Sequence, residues 1–100
     1  MSPLFSPGCL YVTPGIHALI RRGMDMSSYL QRHTQGDWGH IDACQTAENH
    51  HAIRHGSSVR SVYPLTPCIR LLIETQGGST TLKLSDELTD RRIRYRKFGF

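Results

Sequence analysis

Long hydrophobic runs are missing from this chain. The longest apolar stretches, such as Leu71-Leu72-Ile73, fall far short of the ~20 residues a membrane-spanning helix needs. The opening MSPLFSPG has no basic leader and no apolar h-region, so neither a membrane nor an export route is expected and the protein reads as cytoplasmic. Cysteine is also scarce. Cys9, Cys44 and Cys68 are odd in number and widely spaced, with no C-x-x-C pair, which excludes a disulfide framework and predicts free thiols, buried or half-buried. No H-E-x-x-H, nucleophile elbow, phosphate-binding glycine loop, helix-turn-helix or zinc-finger spacing occurs. Internal repeats and low-complexity tracts are absent too.

What is present suits one small domain. One hundred residues allow a single hydrophobic core that hides roughly 60–65% of the unfolded surface, and dimerisation would be a natural way to enlarge it. The net charge of +4 is concentrated at one end. Residues 1–90 are nearly neutral, and Arg91, Arg92, Arg94, Arg96 and Lys97 supply the excess. The organisation expected is a flexible arm over 1–8, where Pro3, Pro7 and Gly8 resist regular structure. A single domain over 9–90 and a basic strand or tail over 91–100 follow.

Local signals then divide the domain. Cys9–Thr13 predicts a short strand. Thr13-Pro14 combines an N-cap with a first-turn proline, so a helix should run over Pro14–Arg22 and end at Gly23. Asp25 caps a second helix, with Met26, Tyr29, Leu30 and His33 at helical spacing as far as Gly36. Asp42 and Gln45 form a capping-box start for a third, which ends at His55-Gly56 and whose thin apolar face places it on the outside of the core. After that the period becomes two. Val59–Leu65 and Ile69–Thr75 alternate, with Ile69, Leu71 and Ile73 on one side and Arg70, Leu72 and Glu74 on the other. Gly77-Gly78 turns the chain into Ser79–Leu84, so 69–84 reads as a β-hairpin. Ser85 could cap a helical turn through Leu88, and the tail alternates again as a fourth, edge-like strand or an extension. The fold class expected is α+β: two or three N-terminal helices packed on a three- to four-stranded antiparallel sheet.

Thr13-Pro14-Gly15, Leu30-x-Arg32-His33, Gly36-Asp37-Trp38-Gly39, Asn49, Gly56, Ser61-x-Tyr63 and Thr80-Thr81-x-x-Leu84 together resemble a group of small proteins of plasmids and other mobile elements, usually labelled only plasmid-related. The resemblance covers roughly residues 9–87, and the Arg-His…Gly-Asp-Trp-Gly run is its most specific part. It implies a bacterial intracellular protein of mobile genetic context, with interference in a host system as the sensible role. It implies no activity, cofactor or catalytic residue. Where similar proteins have an aspartate–arginine hairpin turn, this chain has Gln76-Gly77-Gly78, and the arginine-rich tail lies outside the resemblance.

Three constellations could carry chemistry. Arg32, His33, Asp37 and Trp38 combine a guanidinium fork, an imidazole, a carboxylate and a flat ring, a set that could bind an anion, a base or a peptide side chain. The structural alternative has Trp38 filling the gap between the second and third helices and His33 packed with its ring satisfied. His51 and His55 stand four apart on one helix face, a spacing that lets two imidazoles share a metal, with His40 or Asp37 as a third ligand. A surface helix rich in histidine is the alternative, and no cofactor is expected. Acid–base pairs can be drawn from His33, Asp37, Asp42, Glu48 and Glu74, but none lies in a recognisable motif. Arg92, Arg94, Tyr95 and Arg96 interleave charge with an aromatic, as phosphate attraction and base stacking require. The ranking places a non-catalytic protein-interaction or inhibitory factor first. A weak nucleic-acid binder using the C-terminal arginines comes second, and a small enzyme or metal-binding protein third.

Overall fold

The computed structural model describes residues 3–85 together with the backbone of 96–98. In chain order the elements are β1 (Cys9–Val12), α1 (Pro14–Arg21), α2 (Ser27–Thr34), α3 (Ala43–His55), β2 (Val59–Pro64), β3 (Arg70–Gln76), β4 (Ser79–Leu84) and β5 (Arg96–Phe98). The fold is α+β, as the change of period predicts.

The first and third helix starts follow the capping chemistry. Thr13 is extended and its hydroxyl accepts from the Ile16 amide, with Pro14 in the first turn. The second helix departs from expectation: its N-cap is Met26, which makes no side-chain cap, and Asp25 stands one residue ahead with its carboxylate accepting from the Ser27 amide at 2.9 Å. Asp42 accepts from the Gln45 amide at 2.7 Å. The other half of the capping box is not made, because the Gln45 amide group donates to Asn49 Oδ1 instead. Gly56, at φ +76°, closes α3 in the left-handed conformation.

The sheet order is β2-β3-β4-β1-β5, and it is mixed rather than purely antiparallel. β2, β3 and β4 form the expected meander, but β1 pairs with β4 in parallel, Tyr11 opposite Thr81 and Val12 opposite Leu82. The reason is topological. The three helices form one crossover from β1 to β2, and such crossovers join strands of the same direction. Two hairpin reversals then bring β4 back in that direction beside β1. On the far side of β1, β5 pairs antiparallel, with Arg96 opposite Val12 and Lys97 opposite Tyr11. The expected turn from Ser85 through Leu88 lies outside the described residues beyond Ser85 itself, whose hydroxyl accepts from the Arg70 amide.

One face of the sheet is buried under the helices. Val12, Tyr63, Leu71, Ile73, Leu82 and Leu84 pack there with Ile16, Met26 and Leu30. Each fully buried aliphatic side chain contributes roughly 1.5–3 kcal/mol. A smaller cluster of Trp38, Ala52 and Val59, flanked by Phe5, Ile41 and Ile53, seats α3 against the edge of the sheet. Residues 3–8 of the arm form no helix or strand, in keeping with the prolines. They are nonetheless tied down where the Leu4 amide donates to the Thr34 carbonyl and the Thr80 hydroxyl to the Pro7 carbonyl. The cysteines are free, as expected, but all three are exposed where burial or half-burial was expected. Cys9 and Cys44 fall on the outer faces of β1 and α3, and Cys68 lies in the loop between β2 and β3, so none meets the core.

Candidate functional site

The four candidate residues of the Arg32–Trp38 run do not share one cleft: Asp37 and Trp38 border a shallow hollow of about 290 Å³ with His50, and Arg32 and His33 are not part of it. Arg32 and His33 are neighbours on α2 with opposite fates. The Arg32 side chain is exposed; its Nε lies 2.7 Å from Asp37 Oδ2 and its guanidinium 4.6 Å from the centre of the Tyr63 ring. The hydrogen bond from Arg32 holds the Asp37 carboxyl below the usual carboxylate range. His33 is 0% exposed. Trp38 is buried in the second core cluster, its indole N–H donating to the His33 carbonyl at 3.0 Å and its edge against the His50 ring. The tryptophan therefore acts as a wedge between α2 and α3 and offers no open ring face.

His33 is the hub of a sealed chain of hydroxyls whose proton order can be deduced. The Thr80 hydroxyl donates to the Pro7 carbonyl at 2.6 Å. That uses its only proton, so in the 2.6 Å contact with Thr75 it accepts. Thr75 in turn accepts from His33 Nε2 at 2.9 Å. The ring is then the Nε2-protonated neutral tautomer, and its bare Nδ1 accepts from the Ser61 hydroxyl. Burial lowers the His33 pKa to about 4, which keeps the ring neutral. Ser61 donating to a histidine has the outline of a nucleophile–base pair. Here both residues are buried, and the group that orients the ring is a neutral threonine. The arrangement holds α2 to the sheet and the arm to both.

The same run closes an edge. β2 ends the sheet, so its outward backbone groups need partners. The Val62 amide donates to the Trp38 carbonyl at 3.1 Å, and the Val62 carbonyl accepts from the His40 amide at 2.7 Å. Asn49, 0% exposed, presents its side-chain amide like a strand peptide, donating to the Arg60 carbonyl at 2.7 Å and accepting from the Arg60 amide at 2.9 Å. Gly39 is required at the crossing. Its φ is +72°, and a Cβ there would stand 2.2 Å from the Val62 carbonyl oxygen. The Tyr63 hydroxyl donates to the Asp37 carbonyl at 2.6 Å, and burial pushes its pKa up to about 12. His33, Trp38, Gly39, Asn49, Ser61 and Tyr63 thus fasten turn, helix and sheet together.

Other sequence candidates are dispersed. His51 and His55 lie side by side on the outer face of α3, ring centres 4.2 Å apart. Neither His40 nor Asp37 joins them, and the described residues contain no group of three or more metal-ligating side chains that could hold an ion. Arg92, Arg94 and Tyr95 lie outside the described residues; Arg96 begins β5.

A further surface with room for a ligand lies away from the sequence motifs. It is the sheet face turned away from the helices. Strand register places Arg60, Val62 and Pro64 of β2, Arg70, Leu72 and Glu74 of β3, Thr81 and Lys83 of β4, and Tyr11 of β1 on it. Val62 and Leu72 are directly opposed and half-buried. Around them lies a shallow concavity of about 480 Å³, with Arg60, Glu74, Thr81 and Lys83 on its walls. The signal was present in the sequence, where Leu72 interrupts an otherwise charged outward side of β3.

The chain matches no family model, no curated protein and no solved structure. Its function has to be argued from this geometry. Among the described residues no helix is long and apolar enough to cross a membrane.

Proposed function

We propose that this protein is a non-catalytic binding module that engages another protein through the open face of its sheet. One observation carries the reading: the opposed pair Val62 and Leu72 lies half-exposed at the centre of a shallow concavity ringed by polar and charged side chains. Protein interfaces share that anatomy, an apolar centre inside a polar rim. His33, Ser61, Thr75 and Thr80 are engaged with one another in holding the fold. In the mobile-element setting that the resemblance implies, interference with a host protein would be the purpose of such binding.

The test is a photo-crosslinking residue placed at Leu72 of the full chain in cells, with a second at Arg21 on the helical side as reference. The expected result is a discrete protein adduct from position 72 and none of that mass from position 21. Identical adduct patterns at the two positions would remove the reading.

A second reading, nucleic-acid binding by the basic C-terminal segment, is favoured by the register of β5. It sets the backbone of Arg96 and Lys97 beside Val12 and Tyr11, at the margin of the same sheet. That reading expects affinity for single-stranded nucleic acid that falls steeply with salt and disappears when Arg92, Arg94 and Arg96 are neutralised together.

A further inference from the structure

We infer that the open sheet face is built to take an amphipathic helix with acidic flanks, supplied by the partner, as the missing third layer of an α/β/α sandwich. The inference rests on the proposed binding role of this face and names the chemistry of its occupant.

Shape comes first. A helix can lie across a sheet face, and helices already cover the opposite side. Strand addition along β2 is closed off, because Arg60 and Val62 already exchange hydrogen bonds with Asn49 and with the 38–40 segment. An extended partner would therefore find no free edge there, and the accessible feature is the face.

Charge then selects the occupant. Arg60, Arg70 and Lys83 stand at three corners around Val62 and Leu72, roughly 8–14 Å apart by strand and residue spacing. Glu74 is the one acidic side chain on this face among the described residues, and Arg60 pairs with it. The remaining cations, Arg70 and Lys83, have no carboxylate within ion-pair distance among the described residues. A helix about 12 residues long has the reach to bring Asp or Glu to these corners while an i, i+3/i+4, i+7 stripe of Leu or Ile covers the centre.

The same features disfavour the other occupants. A second copy laid face to face would oppose two surfaces on each of which Arg60, Arg70 and Lys83 outnumber the lone Glu74 among the described residues, a like-charge excess that costs affinity. Nucleic acid would bring phosphates to Glu74, and the centre of the face offers it two aliphatic side chains in place of stacking rings, with Tyr11 only at the margin.

The experiment uses the full chain and three fluorescent probes at 150 mM salt. One is a 14-residue helical peptide with a leucine stripe and glutamate flanks; the second has lysine in place of every glutamate; the third is a 12-mer of deoxythymidine. The glutamate peptide is expected to bind at least tenfold more tightly than the lysine peptide. Lys83→Glu with Arg70→Glu should cut its affinity at least tenfold and raise that of the lysine peptide. Leu72→Ser should weaken both peptides alike. The charge variants alter exposed or half-exposed side chains, so an unchanged thermal midpoint confirms that they fold even where Leu72→Ser does not. Equal binding of the two peptides overturns the inference. So does oligonucleotide binding that is lost in the charge variants, or a dimer of the free protein that those variants dissociate. Should position 72 crosslink a protein in cells while the glutamate peptide fails to bind, the binding role stands and the acidic helix is refuted.

Discussion

His33 shows how much a single side chain can settle. Its ring is neutral because burial makes the charged form costly, and the hydroxyl chain ending on the Pro7 carbonyl fixes which nitrogen holds the proton. Nitrogen-detected NMR at neutral pH should find the Nε2–H tautomer. The pH dependence has a definite sign. The folded pKa, about 4, lies below the ordinary 6.5, so the unfolded chain takes up the proton first as pH falls. Nothing is lost above pH 6.5. Between 6.5 and 4 the folded state loses up to about 3 kcal/mol relative to the unfolded chain. Urea midpoints measured from pH 7 to pH 4.5 should fall more steeply for the natural protein than for His33→Gln, whatever the variant's stability at pH 7. Asn49 makes a different demand, since its removal strands the Arg60 amide and carbonyl at a covered edge. Asn49→Ala should cost about 2–4 kcal/mol in urea denaturation and abolish the slow hydrogen exchange of the Arg60 amide. Arg32→Ala should cost no more than about 1 kcal/mol, because both members of its ion pair are exposed.

At the level of elements, the turn between α2 and α3 matters more than its length suggests. It carries Trp38 into the core and lends backbone partners to β2, and both depend on Gly39 coming close to Val62. Gly39→Ala combines a left-handed backbone with a Cβ 2.2 Å from a carbonyl oxygen. It should therefore destabilise by well over the about 1–2 kcal/mol that the dihedral alone costs. Gly23→Ala is the matched control, at φ +96° with no atom within 4 Å of its Cβ, and should show only the dihedral cost. Thermal or urea melts of the two variants separate strain from collision. Much of this level was legible beforehand. The Thr13 and Asp42 caps and the 69–84 hairpin follow from local chemistry, whereas α2 starts later than the Asp25 signal places it, with Met26 at its N-cap. The parallel pairing of β1 with β4 was not legible, because strand direction depends on how many reversals the whole path contains. The exposure of Cys9, Cys44 and Cys68 was missed for a related reason: residue type suggests burial, whereas position on an element decides it.

For the whole molecule, the consequence is an asymmetric sheet. Among the described residues one face is covered by helices and one is open, and the open face is cationic around an apolar pair. Binding of an acidic amphipathic helix should bury that pair, so calorimetry with the glutamate peptide is expected to give a negative heat-capacity change. A ΔCp near zero would mean that the aliphatic centre takes no part. The sequence by itself determined the type of each element, the places where α1 and α3 start and stop, and the alternation that sends Leu71 and Ile73 inward and Leu72 outward. All of these arise from contacts within a few residues, where spacing and capping chemistry decide. Only the tertiary structure decided what the Arg32–Trp38 run is for, joining His33 to Ser61 and Thr75 and Trp38 to β2 across distances along the chain that no local pattern records. It also decided which sheet face the helices cover. That depends on where the crossover helices pack, and packing is set by the burial of the whole core at once.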